Sequence, residues 1–469
     1  MTSSAQWASI RHRVSPGLFA FCAFIAAIAL VGGSSRADSL AQPLARLVAA
    51  LALAGWIAAR RPWKGAALRP AFVMLGLLAL LLSAQLVPMP AEWWSALPGR
   101  APFLASATAA GLPQPWRPIN LVPDRGWNSL FVLLVPLATL VGLAQFSSRR
   151  RTKLLAVVWV LAMISAVLGL AQISGGANSA LRPYAYSSNA FAAGFFANRN
   201  HQALLLAAAL PILAAWATLP DLSRDIKKSR AMIATGIAAF ILLMVPTTGS
   251  RAGLVLTAIG SVAAVAIAWA DARAALARVS SRRRKRWLAY GAGGVAALVG
   301  TLFFYGRNDS IQRLYGMSLS DDLRARTLPT VLQMTREFFP VGSGFGNFDI
   351  VYRRFEPFSA LSSEYLNQAH NDVIQFVLEG GIFGAALLTG VTGWAGSASI
   401  KAWRAPPSPE RQAARAGSAV LLMALIASIF DYPLRTPLMM VVVAIAWAWL
   451  LTPTRDWSSS EAPEPEASS

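Results

Sequence analysis

Charged side chains are scarce in this chain of 469 residues. They make up 13% of it, against 55% hydrophobic residues, and the mean hydropathy is +0.49. A soluble core needs no succession of long apolar runs, and several runs here reach the ~20 residues that a spanning helix requires. They are too long, and the segments between them too irregular, for a transmembrane barrel. Cysteine is almost missing: the single Cys22 lies inside the first apolar run, which excludes a disulfide framework. There is no Gly-Lys-Ser/Thr phosphate loop, no Gly-x-Ser-x-Gly elbow and no His/Cys/carboxylate set at metal-ligand spacing. No internal repeat points to the inverted halves of a transporter. The first run, Leu18 to Val31, lacks a clear cleavage site and reads as a retained first span.

What is present predicts an all-α integral membrane protein. Apolar runs against charged breaks give about twelve spans, centred near residues 25, 50, 79, 136, 163, 208, 239, 260, 296, 387, 423 and 444. The net charge of +21 does not point to nucleic acid, because the basic residues fall in short loops between the runs. Arg60, Arg61, Lys64 and Arg69 form one cluster; Arg149 to Arg151 with Lys153 form another. The clusters at 224–230, 273–286 and 401–415 lie on the same side of a twelve-span chain, together with both termini. The positive-inside rule makes that side cytoplasmic. The expected layout is a cytoplasmic N-terminus at 1–17, N-terminal spans at 18–189, a catalytic membrane region at 190–452 and a disordered acidic tail at 453–469. A large outer loop at 307–369 is expected between the ninth and tenth spans, and a Pro- and Trp-rich outer loop at 88–125 suits the headgroup region.

Against that apolar background the polar residues stand out. Only three histidines occur, and His370 stands in Asn367-Gln-Ala-His-Asn-Asp at the mouth of an apolar run. Asn367, Asn371, Gln375 and Glu379 follow at four-residue spacing, which predicts a polar stripe on one helical face, with Asp372 alongside. A stripe of this kind faces protein or a water-filled cavity rather than lipid. A neutral imidazole is a competent general base. Structural polar glue between helices is the competing reading. Arg251 sits in Pro246-Thr-Thr-Gly-Ser-Arg-Ala-Gly253, a small-residue turn too short to carry it far from the hydrocarbon boundary. Its guanidinium and the turn amides suit an anion. Arg324 and Arg326 precede an amphipathic helix in the long loop, and Asn198, Arg199, Asn200 and His201 open the sixth span. Asp431 and Arg435 bracket the turn before the last span, and a mutual ion pair is expected for them.

The segments Thr-Gly-Ser-Arg251-Ala-Gly, Gly342-Ser-Gly-Phe-Gly-Asn-Phe and Ala-His370-Asn-Asp…Leu-Glu379-Gly-Gly, taken in order, resemble the O-antigen ligase and polymerase superfamily. The Asn198-Arg-Asn200 opening and the Asp431-Tyr-Pro-Leu-Arg-Thr-Pro turn are similar to its patterns as well, so the likeness runs over about 190–437. The resemblance implies a metal- and cofactor-independent, inverting glycosyltransferase of the bacterial inner membrane. It would take a glycan from an undecaprenyl-diphosphate carrier on the periplasmic side. The acceptor would be lipid A–core for a ligase or another carrier-linked glycan for a polymerase. Carried over residue by residue, Arg251 and Arg324 (with Arg326 as rival) would bind the donor diphosphate, and His370 would take the acceptor's proton. Asn198, Arg199, Asn200, Asn371 and Glu379 would contribute to substrate binding. The reading from another class is a flippase or transporter, which would carry polar residues through the full membrane depth. The apolar stretches near 155–171, 203–219 and 255–270 argue against it.

Overall fold

Serine and proline mark where apolar runs turn into helices. In the computed structural model, which describes residues 15–36, 39–188, 190–277, 323–358, 361 and 366–452, helix after helix starts this way. Ser15 accepts from the Leu18 amide at 3.4 Å, and Pro16 opens α1 (Pro16–Val31). The chain continues through α2 (Ala41–Ala58), α3 (Arg69–Ala84), the short α4 (Ala91–Ser95) and α5 (Ala101–Ala109), then α6 (Pro123–Val132) and α7 (Leu134–Ala144). Next come α8 (Ser148–Ser174), α9 (Arg199–Ala217), α10 (Arg224–Met244) and α11 (Arg251–Ala277). After residues outside the described set follow α12 (Leu323–Phe338), α13 (Phe348–Tyr352), α14 (Asp372–Arg404), α15 (Pro409–Phe430) and α16 (Pro437–Leu450). Ser223 and Ser408 cap α10 and α15, and proline stands at the first turn of α3, α5, α6, α15 and α16. Each cap gives an orphan amide a partner, and proline has no amide to leave unpaired.

Among the described residues nine helical segments are long and apolar enough to cross a membrane, with α1 and α16 as shorter apolar helices. Among the described residues helix predominates, and the strands are one two-residue pair, β1 (Pro88–Met89) and β2 (Arg117–Pro118), antiparallel in the loop before α6. The expected span centres fall in α1, α2, α3, α7, α8, α9, α10, α11, α14, α15 and α16; the one near residue 296 lies outside the described residues, as does the first part of the expected 307–369 loop. The loop at 88–125 is more structured than a surface strap. Trp94 is buried with its indole N–H donating to the Pro118 carbonyl at 2.9 Å, while Trp93 and Trp116 stay exposed.

The centre of the bundle is α9. Of its apolar window 83% is buried inside the protein, against 17–61% for the other spans. Its run of Leu and Ala from Ala203 to Leu210 lets neighbours approach closely. Gly253 of α11 faces the Ala203 methyl, and a Cβ at Gly260 would stand 2.6 Å from the Ala207 carbonyl. A second, smaller core forms outside the bundle, where Val331, Met334 and Phe338 of α12 pack on Phe348, Val351 and Tyr352 of α13. The polar residues singled out in the sequence meet between these two cores.

Candidate functional site

His370 does not open α14. The helix begins at Asp372, and the side chain of Asn371 caps it by accepting from the Ile374 amide at 3.0 Å. Asn367 and His370 therefore lie in the approach to the helix, and His370 takes a left-handed φ of 52°. The expected four-residue stripe holds only inside the helix. Gln375 donates to Glu379 Oε1 at 2.9 Å, and both are fully buried. Asn371, expected as a substrate contact, is engaged as a cap.

The imidazole of His370 faces Asp431, the residue that ends α15. Its Nδ1 stands 3.5 Å from Asp431 Oδ1 and makes no hydrogen bond among the described residues. Such contacts often tighten only when substrate binds. Around the same carboxylate converge Asn198 Nδ2 at 3.1 and 3.2 Å, Asn200 Nδ2 at 2.5 Å and the Tyr432 amide at 2.9 Å. His201, 1% exposed, completes the ring with Nε2 at 3.8 Å from Oδ1, and its Nδ1 lies 2.9 Å from Thr436 Oγ1. The Tyr432 ring contacts both imidazoles, at centroid distances of 4.9 and 5.4 Å. Burial pushes the Asp431 carboxyl up, but His201 and His370 outweigh it and hold it well below the usual carboxylate range. Asp431 is thus a fixed anion beside His370. The sign for stability follows from the lowered value. Asp431's contribution is complete above the unfolded range near pH ~4 and is lost only as pH falls below it.

Arg435 corrects a second expectation. Instead of pairing with Asp431, it reaches back to α14, with Nε 2.6 Å from Asp372 Oδ1 and a terminal nitrogen 3.1 Å from Glu379 Oε2. The turn before α16 is thereby tied to the first two turns of α14. The approach loop is pinned as well, since the Ala369 amide donates to Gln375 Oε1 at 2.8 Å and Gln375 donates to Gln368 Oε1 at 2.6 Å. Arg435→Leu leaves two buried carboxylates uncompensated and is expected to destabilise the fold by about 3–5 kcal/mol. Thermal unfolding in detergent would register it.

Arg251 begins α11 directly after a tight turn. Gly249 adopts φ 60°, Thr248 donates to the Val245 carbonyl at 2.6 Å, and Ser250 Oγ accepts from the Gly253 amide at 2.9 Å as the helix cap. Arg199 lies alongside: its guanidinium sits 4.0 Å over the Phe191 ring, and a Cβ at Gly249 would stand 3.1 Å from it. Two arginines thus share one corner. A hydrogen-bond chain joins this corner to the carboxylate that His370 faces, because Ser250 Oγ donates to Asn200 Oδ1 at 2.7 Å and Asn200 in turn donates to Asp431. A small cleft between Ala252, Asn200, His201 and Asp431 follows the same line. Arg324 and Arg326 both fall in the first turn of α12, where Arg326 is exposed.

The glycine-rich turn at 342–346 holds Glu379 in place. Gly381 has φ 61° and ψ −148°, which breaks α14 and turns the Ile382 amide away to the Pro340 carbonyl at 2.8 Å. The Leu378 and Glu379 carbonyls accept instead from Ser343 and Gly344, each at 3.0 Å, with Gln85 Nε2 on Glu379 at 2.9 Å. Both of these carbonyls thus keep a partner, as buried backbone requires. Gly381→Ala places a Cβ against Pro340 in a region open almost only to glycine. It is expected to cost at least about 1–3 kcal/mol, read as a lowered melting temperature.

Of the residues singled out in the sequence, His370, Asn198 and Asn200 meet at Asp431, Arg251 and Arg199 lie at the turn that Ser250 links to it, and Glu379 is held by Arg435 and Gln375. Sequence reasoning gave His201 no role and did not foresee the clamp of Asp372 by Arg435. The signal that pointed there was the Asp431-Tyr-Pro-Leu-Arg-Thr-Pro turn, a charged pair with a proline between its members at the mouth of a span. Among the described residues no group of three or more His, Cys, Asp or Glu side chains is arranged to hold a metal ion.

A family model described as O-antigen ligase matches residues 236–389, about a third of the chain. The matched stretch contains the Arg251 turn, the glycine-rich turn and His370, and it bears out the resemblance to the O-antigen ligase superfamily read from those segments. No curated protein matches the chain. With its apolar helices, the match supports a multi-pass, ligase- or polymerase-like membrane enzyme.

Proposed function

We propose that this chain is an inverting glycosyltransferase that moves a glycan from an undecaprenyl-diphosphate carrier to an acceptor hydroxyl, in the manner of an O-antigen ligase. The observation that carries the reading is the hydrogen-bonded link from the Arg251 turn through Ser250 and Asn200 to Asp431, the carboxylate that His370 faces at 3.5 Å. Transfer from a lipid diphosphate needs two things close together: cationic charge for the leaving diphosphate and a base for the attacking hydroxyl. Here the arginine turn stands at one end of that chain and the imidazole faces the carboxylate at its other end.

In this mechanism the acceptor oxygen attacks the anomeric carbon from the face opposite the diphosphate. Its proton passes to Nε2 of His370, whose Nδ1 side is turned toward Asp431. The carbon–oxygen bond to the diphosphate breaks and its electron pair leaves with the phosphate, whose growing charge Arg251 and a second arginine (Arg324 or Arg326) balance. Preorganised charge in a low-dielectric site is the largest single contribution to this kind of catalysis. The cytoplasmic placement of the basic loops would put the site on the periplasmic side of the inner membrane.

The test is a gel of membrane and surface glycolipids from a deletion strain complemented with wild type or His370→Ala. Bare lipid A–core together with long glycan accumulated on the carrier is the result expected of a ligase. Single repeat units on core or carrier would assign the chain to polymerisation instead. An unchanged glycolipid pattern in His370→Ala would overturn the proposal.

A further inference from the structure

Arg46 lies in the second turn of α2, inside an apolar span. Among the described residues it donates to Asn128 Oδ1 at 2.8 Å, its Nε is buried without a hydrogen-bond partner, and no carboxylate pairs with it. A guanidinium so placed is costly without an anion. It faces a cavity of about 420 Å³ that is open on one side. Most of the wall is apolar side chain from α3, α7, α14 and α16, and its charged members are Arg46, Arg125, Arg435 and Asp372. Asp372 is the first residue of α14, Ser428 stands in the last turn of α15 and Arg435 in the turn before α16. The polar groups thus gather where these elements meet, and the apolar wall runs deeper along the helices.

The charges on this wall are unevenly matched. Arg125 meets one carboxylate, Asp349 Oδ2 at 3.5 Å, and Arg435 meets two, Asp372 Oδ1 and Glu379 Oε2. The turn side of the cavity therefore carries one negative charge in excess and the Arg46 side one positive charge. Two further polar atoms of the wall are buried with no hydrogen-bond partner among the described residues: Asp372 Oδ2 and Ser428 Oγ, in side chains 9% and 3% exposed. Thr139, Thr257 and Thr335 bond back to the carbonyl four residues earlier in their helices, and Ser428 does not. The wall thus offers two donors, Arg46 Nε–H and Ser428 O–H, and one charged acceptor, Asp372 Oδ2. Buried groups of this kind are costly until something meets them.

Charge selects the ligand. A plain anion gains at Arg46 but leaves Asp372 Oδ2 without a donor, and a plain cation does the reverse. A zwitterion answers both ends, and the apolar wall adds room for an alkyl chain. We infer that this cavity binds a phosphoethanolamine lipid of the bilayer. Its phosphate accepts from Arg46 Nε and Ser428 Oγ, its primary ammonium donates to Asp372 Oδ2, and one acyl chain runs along α3, α14 and α16. A guanidinium suits the phosphate, which it meets with charge and N–H together. Phosphocholine carries the positive charge without an N–H, and phosphoglycerol carries no cation, so neither satisfies Asp372. The inference stands apart from the proposed glycosyl transfer, because a polyprenyl diphosphate has no ammonium and the Arg251 turn is not on this wall.

The experiment titrates detergent-purified full-length protein with dioleoyl phosphatidylethanolamine, phosphatidylcholine and phosphatidylglycerol and with polyprenyl phosphate. The first bound lipid is read by native mass spectrometry. Wild type should bind the ethanolamine lipid about tenfold or more tightly than the other three, the effect of one hydrogen bond to a charged group. Arg46→Gln should weaken that binding by about tenfold, and Ser428→Ala by less. Asp372→Asn should bring the ethanolamine and choline lipids within about threefold of each other, because only the ammonium contact is lost. Equal binding of these two lipids to wild type overturns the inference, as does unchanged binding in Arg46→Gln. Tighter binding of phosphatidylglycerol or polyprenyl phosphate would mark a plain anion site and overturn it too. If Asp372→Asn does not fold, the lipid series on wild type and on Arg46→Gln decides. No arm reads glycan transfer, so failure of the functional reading leaves each outcome as it stands.

Discussion

Substituting alanine for His370 is expected to lower the rate of glycan transfer by about 10²–10⁴-fold, the usual contribution of a positioned general base. The magnitude follows from where the ring sits. It is partly exposed, turned by a left-handed backbone toward a carboxylate that is 3% exposed and that four further polar groups hold in place. The ring is thus oriented by groups that do not move when a proton arrives. Asp431→Asn keeps the shape and removes the charge. It should slow transfer less than His370→Ala, because the base remains and only its orienting charge is lost. Initial rates of the two variants separate the base from its orienting group. Wild-type rates in Asp431→Asn would remove Asp431 from the orienting role.

Arg251→Ala should cost about 3 kcal/mol in the barrier, roughly a hundredfold in rate, by removing a preorganised charge from the leaving diphosphate. Arg251 is exposed at the first residue of α11, where the helix amides behind it also favour an anion. Lysine at this position restores charge but not the planar fork that grips two phosphate oxygens, so Arg251→Lys should recover only part of the loss. The loss should appear in donor kinetics while acceptor KM stays near wild type. An Arg251→Ala enzyme with wild-type donor kinetics would remove the arginine from the proposed site.

Much of this was legible in the chain because a membrane makes polarity expensive. His370, Arg251 and the Asn198–Arg199–Asn200 opening stand out against apolar runs, and the helices that carry those runs are found where their centres predict. Partnerships across the bundle were not legible. Asn198 and Asp431 are 233 positions apart, and nothing in either local segment states that they meet. The short separation of Asp431 and Arg435 suggested a pair, yet the turn between them sends the arginine to Asp372 and Glu379 instead. The four-residue register from Asn367 to Glu379 was half correct for a similar reason. Asn371 stops the helix as a cap, so Asn367 and His370 are placed by the loop. Nothing in the local segment states that the glycines at 342–346 accept the broken helix at Gly381.

The central claim is that one polypeptide cleaves a lipid diphosphate linkage and passes the glycan to a hydroxyl. The most direct measurement is release of free polyprenyl diphosphate, coupled to acceptor glycosylation, in proteoliposomes containing only the purified protein. Wild type should produce both in equal amounts, and His370→Ala and Arg251→Ala should produce little of either. Movement of the intact lipid-linked glycan across the bilayer without cleavage, or undiminished transfer by both variants, would contradict it.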